Sequence, residues 1–332
     1  MAQDGKAAAA GTGRETIPQF AKLMAFGRQL AFAMISIIAL VVLFTALNPR
    51  FATAGNWYDI SEQMAMIAIL AVGQTFIIAA AGIDISQGSV LGLSSMICAL
   101  SIVNFHLPII VAIIITLALG AVVGALIGAA VVVLSVPPFI ATLGMLAIAL
   151  GGALLTTDGE PVFNLPSAFL LISQGTVLGL PTMAWIAIVL ALIAAFVLNK
   201  TRFGLYTLAI GSNPESARRA GINVPRHLML VYVLGGTISS LAGIVYTAYT
   251  ATGEPTAGTN YELYSIAAVV IGGGSLFGGI GTILGSILGV LLMMILKNGT
   301  ELAGISPYVE EVMLGLVVIG AVYIDHLRRR QR

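Results

Sequence analysis

The stretch Ile69–Cys98, "ILAVGQTFIIAAAGIDISQGSVLGLSSMIC", decides what kind of molecule this is. Two apolar runs flank a short polar interruption, and Asp84 is the lone carboxylate in it. After Asp84 no Asp, Glu, Lys or Arg occurs until Asp158. The same pattern holds along the whole chain: 58% of its 332 residues are hydrophobic and only 9% are charged. A soluble domain carries roughly 25% charged residues, so this chain has too few to clothe a water-facing surface. An all-α polytopic membrane protein follows.

A hydrocarbon core of ~30 Å needs ~20 apolar helical residues. Runs of that kind lie near 30–47, 64–81, 90–103, 108–134, 138–155, 183–198, 228–249, 265–274, 280–296 and 312–324, the third and eighth being short. The charges test this expectation of ten spans. Lys6, Arg14, Lys22 and Arg28 precede the first; Lys200, Arg202, Arg218, Arg219 and Arg226 separate the sixth and seventh; Arg328, Arg329, Arg330 and Arg332 close the chain. These segments hold 13 of the 15 Lys and Arg residues, leaving Arg50 and Lys297. The positive-inside rule places all three in the cytoplasm. Both termini are thus expected inside, with an even number of spans between successive basic segments. The opposite side receives Asp59, Glu62, Asp158, Glu160, Glu254, Glu262, Glu301, Glu310 and Glu311.

The expected organisation is a flexible cytoplasmic tail over 1–28, one transmembrane domain over 29–326 with a cytoplasmic loop at 200–226, and a basic cytoplasmic tail over 327–332. A short helix is expected at 20–27, and an interfacial one at 168–172 in the long connection from Thr156 to Pro181. The single Cys98 excludes an intramolecular disulfide and reads as a small buried hydrophobe. With no Cys- or His-rich ligand spacing, no metal is expected. No cleavable signal peptide is expected either, because the first apolar run is long enough to span.

Two polar breaks interrupt the membrane segments. At "GIDISQGS", Gly82–Ser89, Asp84 or Ser86 can cap the following helix by accepting from its orphan N–H groups. An ionisable residue at membrane depth is expensive and usually faces a polar cavity, so the cap and a place on a solute path are compatible. Irregular backbone there is tolerated only inside protein or along a cavity. Gln74, about two turns before Gly82, could join the same wall. The second break, "IGGGSLFGGIG" at Ile271–Gly281, lacks the Lys-Ser or Lys-Thr of a phosphate loop and reads as a tight re-entrant turn. A break in each half is what inverted repeats would show. In "SVPPFIATLGM", Pro137 and Pro138 start a helix and its small residues allow close packing. Phe139 and Thr142 on that helix are further candidates for the solute path.

The loop "TRFGLYTLAIGSNPESARRAGINVPR", Thr201–Arg226, carries explicit helix punctuation. Asn213 is an N-cap candidate, Pro214 suits the first position, Glu215 the positive end, Arg218 and Arg219 the negative end, and Gly221 the stop. The product is a surface helix of about two turns, ~10 Å long, suited to docking.

"GIDISQGSVLGLS", "VPPFIATLGM", "TRFGLYTLAIGSNPESARRAGINV" and "VIGGGSLFGGIGTILGSILGVLL", in that order, resemble the motifs of the ribose-type permeases of bacterial ABC importers, a group that extends to branched-chain amino-acid permeases. The resemblance covers about Asn56 to Arg330. It implies a dimeric ten-span channel in the inner membrane, made with a second permease copy and surrounded by lipid. A periplasmic sugar-binding protein would deliver the solute, and a separate ATPase subunit would hold ATP and Mg. It implies no cofactor and no enzyme activity in this chain, and no nucleic-acid partner. By the same resemblance Asn213, Glu215, Ala217, Arg218 and Gly221 form the element coupled to the ATPase, with Arg219 beside them; Gln74, Asp84, Ser86, Phe139 and Thr142 remain candidates for the substrate pathway. The residues alone leave an ion-coupled secondary transporter open, with Asp84 as its carboxylate. A nucleoside or branched-chain amino acid is the alternative cargo.

Overall fold

The computed structural model describes residues 19–330. Residues 1–18 of the expected N-terminal tail and residues 331–332 lie outside them. In chain order the helices are α1 (Gln19–Leu47), α2 (Ala54–Ala79), α3 (Gln87–Val103), α4 (Ile109–Val132), α5 (Pro138–Leu155), α6 (Ser167–Gln174) and α7 (Thr182–Lys200). There follow α8 (Arg202–Ser212), α9 (Pro214–Arg219), α10 (Val224–Thr250), α11 (Tyr261–Ile271), α12 (Ile283–Leu302) and α13 (Pro307–Arg330). A 3-10 turn, Pro49–Ala52, joins α1 to α2, and a two-residue-strand hairpin, Thr176–Val177 with Leu180–Pro181, precedes α7.

Seven of these helices, α2, α4, α5, α7, α10, α12 and α13, are long and apolar enough to cross a membrane. The three shorter apolar segments, Ala33–Leu47, α3 and α11, complete the ten runs expected from the sequence. The short third and eighth runs are short helices because a polar break consumes part of each. The short helix expected at 168–172 is α6. The helix expected at 20–27 is the beginning of the longer α1.

The core is built around α2, which is buried at every residue from Ala65 to Ala79. A helix apolar on all sides is stable there because other helices, not water, surround it. Residues from α7, α10, α11 and α12 pack on it. Helices α4 and α10 cross with backbones nearly touching: a Cβ at Gly120 would meet the Gly236 carbonyl, and one at Gly236 would meet that of Gly120. Such approach is how helices associate in lipid, where packing replaces the hydrophobic drive. Cys98 is fully buried in α3, as expected of a small hydrophobe.

Candidate functional site

The first break runs from the end of α2 to the start of α3. Ala81 takes a left-handed conformation, φ 64°, and turns the chain out of α2. A Cβ on Gly82 would lie 2.7 Å from the Tyr232 hydroxyl of α10, so only glycine lets the turn lie against that helix. Asp84 is 2% exposed. Its Oδ1 accepts from the Ser86 backbone N–H at 2.8 Å and from the Ser86 hydroxyl at 2.6 Å. The expected cap is therefore corrected by one step: Ser86 occupies the N-cap position of α3 but makes no side-chain cap bond, because its hydroxyl turns back to Asp84. The carboxylate braces the turn that leads into the helix rather than the helix's own first turn.

Thr142 is fully buried on α5, and its hydroxyl lies 3.1 Å from the Pro138 carbonyl and 3.4 Å from that of Ile83. It is thus brought to the first break. Phe139 is not: it is 50% exposed on the outward side of α5. Gln74 is fully buried on α2, and both amide atoms lack a hydrogen-bond partner among the described residues. Gln87, the first residue of α3, accepts from Ser265 of α11 at 3.2 Å, while its Nε2 and the Tyr232 hydroxyl are likewise unpaired. Buried polar groups left unpaired cost ~1–3 kcal/mol each, so each calls for a role or a bridging water. Gln87 was read only as part of the polar break, and Ser265 and Tyr232 were not singled out from sequence. Those two sit in apolar helices, and only the packing of α10 and α11 brings them to the first break.

The second break spans residues 272–282, and Gly273, Gly278 and Gly279 have φ values of 96°, 83° and 76°. The re-entrant turn expected from the glycines is what these angles build. The turn is held from α13: Asp325 Oδ2 accepts from the Leu276 N–H at 3.0 Å and from the Ser275 hydroxyl at 3.1 Å. Asp325 passed unnoticed in the sequence because it precedes a basic terminal run and looks like part of it.

The two breaks meet. The Gly279 N–H donates to the Ala79 carbonyl at the end of α2, 2.9 Å away. Gly211, near the end of α8, lies so close that a Cβ there would meet the Ala79 carbonyl and the Gly279 nitrogen. One knot of backbone joins both breaks to the loop that carries α9.

That loop contains more order than expected, since α8 precedes the anticipated short helix. Thr201 caps α8 by accepting from Gly204 N–H at 3.4 Å, and the Thr207 hydroxyl bonds His227 Nε2 at 2.8 Å, fastening α8 to α10. In α9 the punctuation works as read. Asn213 accepts from Ser216 N–H at 2.9 Å, and Glu215 pairs with Arg219 at 3.4 Å and with Arg218 at 3.8 Å. Gly221, φ 84°, ends the helix, and the Ile222 N–H returns to the Ala217 carbonyl at 3.1 Å. Ala217 is buried with Ile210 and Val224, whereas Glu215, Arg218 and Arg219 are exposed. A fixed apolar underside thus presents a charged upper face.

Comparison with known proteins places the chain in a family. A family model described as "branched-chain amino acid transport system / permease component" matches residues 56–322. The chain belongs to that family. Among its relatives, the ribose import permease protein RbsC of Escherichia coli (strain K12) is 40% identical over 301 residues, 90% of this chain and 94% of that protein. The RbsC of Bacillus subtilis (strain 168) is 42% identical over 294 residues, covering 88% and 91%. The L-arabinose transport system permease protein AraH of E. coli (strain K12) is 33% identical over 307 residues, covering 92% of each chain. No solved structure matches. The chain is therefore a transport component rather than an enzyme.

Proposed function

We propose that this permease is the channel-forming subunit of an ATP-driven importer in the bacterial inner membrane, carrying a monosaccharide or sugar-like solute delivered by a periplasmic binding protein. The cargo class is supported by relatives named for ribose, D-allose and L-arabinose. The observation that carries the energy source is α9, a capped helix whose charged face is exposed while its underside is fixed to α8 and α10. The sequence contains no Walker A motif, so ATP and Mg belong to a partner ATPase seated on that face. The route of coupling follows from the knot at Gly211. Displacing α9 moves α8, and α8 bears on both the end of α2 and the second break. In this reading both termini and the α8–α9 loop are cytoplasmic.

The outward side of α5 is the proposed seat of a second copy of the chain. Phe139, Leu143 and Ile148 are exposed there, and Gly144 and Gly151 have open space around them. Pairing through α5 would put Phe139 between the copies, with Thr142 behind it and Asp84, Ser86 and Gln74 shaping the wall further in; lipid covers the remaining apolar surface. The test of coupling uses the permease reconstituted with its ATPase and binding protein. Gly221→Val forces a β-branched residue into a left-handed site, at a cost of at least ~1–2 kcal/mol; Glu215→Ala with Arg218→Ala strips the exposed face. Either should lower transport-coupled ATP hydrolysis with membrane insertion intact. Unchanged coupled hydrolysis in both would refute docking through α9.

A further inference from the structure

At the end of the bundle opposite α9, four tyrosines converge. Tyr246 and Tyr249 stand one turn apart on α10, and Tyr261 and Tyr264 one turn apart on α11. They line a cavity of about 270 Å³, completed by Gln63 of α2 and by Lys297 and Glu301 of α12. The Tyr246 and Tyr261 rings meet edge to face, with centroids 6.4 Å apart.

One wall is fixed by its own bonds. The Tyr264 hydroxyl donates to Glu310 Oε1 at 2.7 Å, Lys297 Nζ lies 3.9 Å from the same oxygen, and that ammonium stands 5.8 Å from the centre of the Tyr264 ring. Of the remaining polar groups, the Thr250 hydroxyl is committed to backbone carbonyls and the others are not. The hydroxyls of Tyr246, Tyr249 and Tyr261, the Gln63 amide and the Glu301 carboxylate make no hydrogen bond to described protein groups. Tyr246, Tyr249, Tyr261 and Gln63 are half-buried and Glu301 is exposed, so the cavity opens at the bundle end.

These features select a class of guest. Phenol rings offer apolar faces beside donor and acceptor oxygens, which suits a molecule with C–H faces and many hydroxyls. The volume has room for one small ring. A quaternary ammonium is the other guest of an aromatic cage. Here Lys297 and Glu301 put one charge of each sign on the wall, an arrangement that favours neither a cation nor an anion over a neutral guest. We propose that this cavity is a monosaccharide-binding site within a single permease chain, receiving the sugar at the mouth of the pathway before it passes inward.

The proposal rests on the sugar-importer reading, and the experiment separates the two. Saturation-transfer NMR on the purified full-length permease is run with D-ribose, L-arabinose, D-allose and, as a cationic probe, choline. Uptake of the same sugars is measured in parallel with the complete importer. One or more of the sugars should bind and choline should not. Tyr246→Leu and Tyr261→Leu should each weaken sugar binding about tenfold, as loss of a central aromatic anchor does, and should raise the KM of uptake. Gln63→Ala, which removes no ring, gives a second reading should a tyrosine variant misfold, and should shift both measurements in the same direction. Binding of choline alone, or no binding by any sugar, overturns the site. So does wild-type uptake by the tyrosine and Gln63 variants, which would leave the importer reading standing. Absence of sugar uptake by the wild-type importer instead sinks the importer reading itself.

Discussion

Replacing Asp84 tests whether the first break is a braced polar wall or an incidental turn. Oδ1 receives two donors, the Ser86 N–H at 2.8 Å and the Ser86 hydroxyl at 2.6 Å, in a place where Asp84 is 2% exposed. Asp84→Leu leaves both donors without an acceptor. Each buried unsatisfied group costs ~1–3 kcal/mol, so the pair amounts to ~2–6 kcal/mol, lessened wherever the hydroxyl rotates to another acceptor. Asp84→Asn keeps an oxygen of the same shape. It loses the charge-assisted part of two bonds, about half their strength, and recovers some of the cost of burying a charge. The net should be ~1 kcal/mol, a small fraction of the leucine penalty. Two measurements read this out: the melting temperature of the purified permease, and sugar uptake by vesicles holding the complete importer. The asparagine variant should melt close to wild type and keep partial uptake; the leucine variant should melt well below it and lose nearly all uptake. Wild-type melting and uptake in the leucine variant would refute the brace. Equal, complete loss of uptake in both variants with stability intact would show instead that the charge itself is required.

Two further outcomes are expected. Asp325→Ala should free the second break by leaving the Leu276 N–H without its acceptor, a loss of ~1–3 kcal/mol; hydrogen exchange over residues 272–282 should quicken and uptake should fall, whereas Asp325→Asn should restore most of both. Unchanged exchange in the alanine variant would mean that the glycine turn holds itself. Reporter fusions after Asp158 and after Ser212 should report opposite sides of the membrane, the second cytoplasmic; the same side for both would break the ten-span topology.

Much of the molecule is local chemistry and so was legible in the chain. Asn213, Pro214 and Gly221 punctuate α9 through bonds that reach no further than a few residues, and the glycines of the second break take the φ values that only glycine adopts easily. The cap at Asp84 was read one step off because the choice between two adjacent acceptors depends on where the Ser86 hydroxyl points. Neither Asp325 nor the tyrosine pairs were read as a site. Their i, i+3 spacing was visible, but their partners lie on helices far away in sequence.

The sequence by itself determined that the chain crosses the membrane, in which segments, and where those segments break, because these follow from dehydration and from backbone geometry along the chain. It could not say which solvent each apolar helix meets. Helix α4 is more apolar than α2, yet only 28% of its span is buried inside the protein against 83% for α2. Hydropathy records that a surface avoids water and is silent on whether lipid or another helix replaces it. The tertiary structure made that decision. By setting α10, α11 and α12 around α2 it also brought the two breaks together at Gly211 at one end, and four tyrosines around one cavity at the other.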